Sequence, residues 1–574
     1  MELWNFTRSQ IIGRNAFFPT PFGNRLLTYA DYTASGRGVR FIERYMEHLL
    51  ELYGNTHTED DVTGNLTTER LHEAERIIKK HLNAGPEYHI IEAGTGSTGA
   101  IHRLQQMLGL YIPPAAKALF RSILFNNVES PIVERIETTL KAKSPVVFVG
   151  PYEHHSNEIT WRECFAEVIE IELNEEGLID LSDLERKVSD PVYAGRLKIG
   201  SFSAGSNVTG IKTPVYEIAR ILRRHDCLVF FDFAAVAPYV KIDMNQSPET
   251  SFDAVFFSPH KFLGGPGTTG VLVFHERLYP KHLPPTLSGG GTVDFVNLHE
   301  QEYTRDIETR EKPGTPGILQ TIKAALAIQL KERLGLEAIE KKEKEYIRRA
   351  IEFFRTIPEI EIVGNPDPEL RIAILSFNIR AGDSYLHPRY VVKLLNDLFG
   401  IQARAGCSCA GPYGHRLLHI DTKKSLEFKE KILQGEMGIK PGWARLNFHF
   451  LFTEKEFRFI LDAVAFVARY GVYFLPLYRF DLSTGNWFAR DWECPVPPFG
   501  IGPILSSLEE EGSTDSFPFS SEQNLTEEER ASYFRQYLEE AHRRGEELKA
   551  SFSPDLLSTT QRDLIPFLYC PFPR

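Results

Sequence analysis

Cysteine is scarce in this chain: six residues in 574, namely Cys164, Cys227, Cys407, Cys409, Cys494 and Cys570. Only Cys407 and Cys409 lie close together, so their spacing yields no disulfide framework. Clusters of basic residues are also missing. The 65 Lys and Arg are dispersed among 77 Asp and Glu, for a formal net charge of −12. Nucleic acid and anionic membrane demand a concentrated basic surface, which argues against either as the main partner. No stretch approaches the roughly 18 unbroken apolar residues of a membrane span. The opening MELWNFTRSQIIGRN lacks the apolar centre of a signal peptide. These absences lead to the expectation of a cytoplasmic protein in a reducing compartment, with no nucleic-acid and no membrane partner.

What remains is the material of a globular chain, 42% hydrophobic and 25% charged, and at 574 residues it exceeds one compact core. Between about residues 65 and 275 short apolar runs (88–92, 146–149, 197–202, 228–233, 254–257, 271–274) alternate with helical stretches such as 67–83 and 100–110. That alternation predicts an α/β domain on a mainly parallel sheet over 31–280, after an N-terminal segment at 1–30. A helix over 318–355, broken near Gly335, is followed by strand-like runs at 371–378 and 445–450 and helices at 388–398 and 454–470. This suits a smaller α+β domain over 281–474. The extension at 475–574 has an open role. It is Pro- and Gly-rich at 494–502 and reads as an acidic, Ser-rich linker at 508–523; Thr526 and Glu529 then form a capping box for a charged helix to Ala550.

The strongest chemical signal is Ser258-Pro259-His260-Lys261-Phe262-Leu263-Gly264-Gly265, directly after a strand. A Lys held out of water at the mouth of a sheet can lose its proton and attack an aldehyde. Taken alone, the segment also reads as a surface Lys in a glycine-rich loop. Asp232 ends the run 228–231 at the C-terminal edge of a parallel sheet, where ligands collect, and its carboxylate can pair with a protonated ring nitrogen. Gly94-Thr95-Gly96-Ser97-Thr98 opens a helix, whose free N–H groups and dipole suit a phosphate.

In their order along the chain, these motifs resemble those of fold-type I enzymes that use pyridoxal 5′-phosphate (PLP), in the class V aminotransferase and cysteine desulfurase group, over roughly residues 25–472. The resemblance implies PLP held as a Schiff base on Lys261, with Ser258 and His260 on its phosphate beside Thr95, Gly96 and Ser97. Glu153-His154-His155-Ser156-Asn157 is similar to the family's E-H-H-A-N and implies that His154 stacks on the ring and acts in catalysis. Asn207 matches the Asn near the phenolic oxygen. Gly314-Thr315-Pro316 looks like the G-T-P segment whose Thr reaches the phosphate across a homodimer interface. Tyr29-Ala30-Asp31 resembles the family's N-terminal segment, and Asn55-Thr56-His57 resembles its Asn-x-His, which implies that His57 approaches the substrate. Arg404-Ala405-Gly406-Cys407-Ser408-Cys409-Ala410 looks like the desulfurase signature R-x-G-x-x-C-A. It implies Cys409 as the persulfide-forming nucleophile, with Arg404 as a source of positive charge beside it. Arg445 matches the arginine that grips the substrate carboxylate.

Three departures from that pattern stand out. Ala235 occupies a place where the family carries a polar cofactor contact. Cys407 and Ser408 stand where one group has two histidines, so Cys407 either resolves a persulfide or packs. The stretch from Cys409 to Arg445 is long and includes a charged helical segment at 425–434. The expectation is a PLP enzyme that converts L-cysteine to L-alanine, leaves a persulfide on Cys409 and passes the sulfur to an acceptor protein. The alternative is a class V aminotransferase, epimerase or C–S lyase on another amino acid. A non-catalytic sulfur-relay or scaffold protein on the same fold is a further one. A metal site built from Cys407, Cys409 and His415 lacks a second ligand pair, so no metal is expected.

Overall fold

A computed structural model describes residues 2–56, 58, 60–495, 522–560 and 563–571. The linker read at 508–523 and the Pro- and Gly-rich stretch past residue 495 fall outside the described residues, apart from Glu522 and Gln523. His57 also falls outside them.

The large sheet has seven strands among the described residues, in the order Tyr88–Glu92, Val271–His275, Ala254–Phe257, Leu228–Asp232, Lys198–Ser203, Val146–Val149 and Glu167–Glu170. Val271–His275 runs antiparallel to both of its neighbours; the other pairings are parallel. The strand tips at residues 92, 149, 203, 232 and 257 therefore emerge on one edge. Both faces are covered by helices, which is why the central strands read as unbroken apolar runs: every residue of VVFV at 146–149 and AVFF at 254–257 is buried. Helix Val62–His81 is held at its start by Asp61, which accepts from the Gly64 N–H at 2.8 Å, and ends in Lys79, Lys80 and His81 where the dipole favours cations. Gly335, at φ +87°, separates helix Ile318–Leu334 from helix Leu336–Phe354.

A second sheet carries Arg404–Gly406, Trp443–Asn447, Ile374–Ala381, Ser384–Leu386, Phe567–Tyr569 and Ser558–Thr559 in that order, with Ile360–Ile362 also on Ile374–Ala381. Two strands therefore come from the extension. Its helix Glu527–Ala550 begins at the expected capping box, with both the Thr526 and Glu529 bonds formed. It lies along helix Glu454–Phe474, where the Phe459 and Phe534 rings stack at 4.2 Å. Arg530, 1% exposed, reaches Glu456 at 2.7 Å, and Arg14 reaches the same carboxylate at 3.0 Å. Through Arg14, and through Gln523 N–H donating to Asn15 O, the extension clasps the N-terminal segment. With the turn that follows it to Leu477, the helix from Glu454 is the one described helix long and apolar enough to cross a bilayer; 67% of its most apolar window is buried inside the fold.

The structure moves some edges. The run at 445–450 forms a strand over Trp443–Asn447 only, because a turn closes just beyond it, with Phe452 N–H donating to His449 O at 2.9 Å. A hairpin of helices Pro114–Asn127 and Ser130–Lys143 stands out from the body, and Pro114–Asn127 buries no residue.

Candidate active site

The loops leaving the shared edge converge on a cleft of ≈ 220 Å³ whose lining includes Thr95, His154, Asp232, Lys261, Cys409 and Arg445. At one end, Gly94 and Gly96 take left-handed conformations (φ +61° and +59°) that turn the strand at 88–92 into helix Gly96–Met107. A Cβ on Gly96 would lie 2.7 Å from Ser258 Oγ. The approach is this close because Ser258 Oγ accepts from the Ser97 N–H at 2.8 Å. Thr95, Gly96, Ser97, Ser258 and His260 thus gather around one helix start, where the backbone dipole favours an anion.

Asp232 sits at the tip of its strand, fully buried. Its Oδ1 accepts from Ser97 Oγ at 2.9 Å and from Ala234 N–H at 2.9 Å, leaving Oδ2 as the free acceptor of a residue that lines the cleft. Burial pushes its carboxyl above the ordinary value, against the pull of these bonds and of Lys261. Lys261 is the fourth residue past the next strand, Ala254–Phe257. Burial, only partly offset by Asp232 and reinforced by Arg445, brings its amine down to about 8. His154 is held neutral at pH 7: burial, then Lys261, His155 and Arg445, lower it to about 4. Its Nδ1 accepts from Ser156 N–H at 3.2 Å, so the hydrogen-bond pattern assigns the ring proton to Nε2. The turn that presents it rests on Glu153, whose buried carboxylate accepts from Ser203 N–H and Asn157 Nδ2.

The far wall comes from the second sheet. Arg445, 3% exposed, donates Nη1 to Asn207 O at 2.8 Å and pairs Nη2 with Asp31 Oδ1 at 2.8 Å. Arg404 meets Asp31 Oδ2 at 3.1 Å. Asn207 in turn donates Nδ2 to Ser408 O at 2.7 Å, tying Arg445 to the cysteine loop. Ser408 and Cys409 both have left-handed backbones (φ +53° and +56°), which fold the loop so that Cys409 is exposed on the cleft while Cys407 is partly buried. His155 braces that loop: its N–H donates to Cys409 O at 2.8 Å and its Nε2 accepts from Gly411 N–H at 2.9 Å.

The cleft thus brings together Thr95, Gly96, Ser97, His154, Asn207, Asp232, Ser258, His260, Lys261, Arg404, Cys409 and Arg445. Thr315 does not line it within one chain; it is exposed, and Asn55 Nδ2 donates to its Oγ1 at 3.2 Å. The nitrogens of His415 are engaged elsewhere, with Gly411 O and Ser425 Oγ. Two participants were missed by sequence reasoning. Asp31 is the counter-ion of both arginines, and His155 is the brace under Cys409. The second histidine of the E-H-H motif was the signal for His155, whereas Asp31 carries no signal beyond its place in Tyr29-Ala30-Asp31.

The family described as Aminotransferase class-V matches residues 131–426. A protein of Halalkalibacterium halodurans named a probable cysteine desulfurase is 29% identical over 391 residues, 67% of this chain and 84% of that one. A probable cysteine desulfurase of Pyrococcus abyssi is 28% identical over 353 residues, 59% of this chain and 84% of that one. Among solved structures, an apo cysteine desulfurase from Thermococcus onnurineus aligns with a TM-score of 0.63 at 23% identity, covering 81% of this chain and 98% of that one. An Escherichia coli cysteine desulfurase in an S-sulfonic acid form aligns at 0.57 and 21% identity, covering 80% and 96%. These two likenesses carry the fold.

Proposed function

Because the chain belongs to the class V aminotransferase family, we propose that it is a PLP-dependent cysteine desulfurase that moves sulfur from L-cysteine to Cys409 and releases L-alanine. The donor set supports the cofactor. An anion cradle at residues 95–97 with Ser258 and His260, a neutral aromatic His154, the free acceptor of buried Asp232 and the amine of Lys261, lowered by burial to about 8, line one cleft. Lys261 would hold PLP and His154 would cover its ring, while Asp232 would keep its ring nitrogen protonated. When bound, PLP supplies an electron sink for the carbon that bears the substrate amine.

The chain's own residues supply the rest. Arg445 offers a guanidinium to the substrate carboxylate. Lys261, with an amine near 8, takes and returns the proton at Cα. Cys409 Sγ forms a bond to the substrate sulfur as the Cβ–S bond breaks, so that L-cysteine and one thiol become L-alanine and one persulfide. The observation that carries this reading is an exposed Cys409 on the same cleft as Lys261 and Arg445. The sulfur then leaves to an acceptor protein, and Thr315 reaches the phosphate of a second copy in a homodimer.

The test is alanine release from L-cysteine by PLP-loaded protein with a reductant present. Wild type is expected to produce alanine, and Cys409→Ala to lose at least about 10²-fold of that rate while retaining the visible absorbance of bound PLP. Equal rates in the two proteins would refute the persulfide step. PLP absorbance in both with no alanine from either would point to an aminotransferase, epimerase or lyase.

A further inference from the structure

Strands Arg404–Gly406 and Trp443–Asn447 pair antiparallel with Arg404 directly opposite Arg445. Like charges so placed on one face repel, yet both side chains line the same cleft. Asp31 lies between them, one oxygen on each guanidinium (2.8 Å to Arg445, 3.1 Å to Arg404). The backbone around it is fixed on three sides. Ala30 O accepts from Asn447 N–H, Asp31 O accepts from Ala34 N–H, and Thr28–Tyr29 pairs in parallel with Ile401–Gln402.

Two cations and one carboxylate leave a single surplus positive charge on this wall of the cleft. One positive charge matches one carboxylate. A ligand bearing a second anionic group meets an Arg404 already paired, with the Asp31 carboxylate repelling the newcomer. We propose that Asp31 is a specificity-determining residue that favours amino acids with one carboxylate over those with a second carboxylate in the side chain. The inference rests on the reading of Arg445 as the carboxylate anchor.

The test uses PLP-loaded protein and two ligands that carry neither amine nor sulfur, propionate and succinate, titrated by calorimetry. Asp31→Asn is expected to raise the succinate-over-propionate affinity ratio about tenfold. Adding Arg404→Gln to it restores the single surplus charge and should return the ratio to within about twofold of wild type. An Asp31 that served only to quiet strand repulsion would show no such return. A ratio unchanged in Asp31→Asn, or still raised in the double variant, overturns the proposal. If Asp31→Asn does not fold, Arg404→Gln alone decides. With the wall brought to neutrality, propionate affinity should fall at least about fivefold, and an unchanged affinity overturns the proposal. Neither ligand is turned over, so absence of desulfurase activity in wild type would sink the function and leave this result standing.

Discussion

Lys261→Ala is expected to abolish turnover of L-cysteine, by roughly 10³-fold or more, because in the proposed function one amine both holds the cofactor and moves the Cα proton. The fold should survive, since Lys261 lies in a short turn at the cleft and its backbone N–H bond to Ser258 O does not involve the side chain. Circular dichroism and thermal midpoint check that. Wild type offers a second readout. With the amine at about 8, about a quarter of Lys261 is neutral at pH 7.5, against about one in a thousand for a lysine at its ordinary value. Capture of PLP by the cofactor-free protein should therefore rise through a midpoint near pH 8. A midpoint above pH 10 would show that burial does not tune this lysine.

Glu456→Gln is expected to cost about 3 kcal/mol of stability at neutral pH. Burial alone would raise the Glu456 carboxyl, but the Arg14 and Arg530 guanidinia outweigh it and hold the group at about 2. A carboxylate whose folded value lies below its ordinary one of 4.5 contributes fully above pH 4.5 and loses that contribution as pH falls toward 2. The gap between wild type and variant should accordingly be widest at pH 7 and shrink below pH 4.5. Glutamine also leaves Arg530, 1% exposed, without its counter-ion. Urea midpoints of both proteins at pH 7 and pH 3 measure the effect. A gap independent of pH would mean that the charge of Glu456 is not what binds the extension to the body.

Much of this molecule is local in origin, and that part is legible in the sequence. The strands at 88–92, 146–149 and 254–257 are short apolar runs bounded by turn residues, and the Thr526 cap satisfies helix N–H groups three residues away. Lys261, Asp232 and His154 each lie at or just past a strand tip, so chain order alone places them on one edge of the sheet. Asp31 is different. It is 414 residues from Arg445, and its role depends on the register that sets Arg404 opposite that residue. The bond from His155 to the cysteine loop spans 256 residues. Neither pairing leaves a periodicity to read. The exposed hairpin of helices at 114–143 lacks the buried stripe by which helices are usually recognised.

The clasp between the extension and the N-terminal segment also bears on when the protein becomes whole. Arg14 cannot meet Glu527 and Arg530, more than 500 positions later, until they have left the ribosome. Strand Ser384–Leu386 likewise waits for Phe567–Tyr569. During synthesis the large sheet can assemble in sequence order while the second sheet keeps an open edge. Since Arg404 and Arg445 stand on that second sheet, and Asp31 follows directly from the clasped segment, the cleft wall settles among the last parts of the chain.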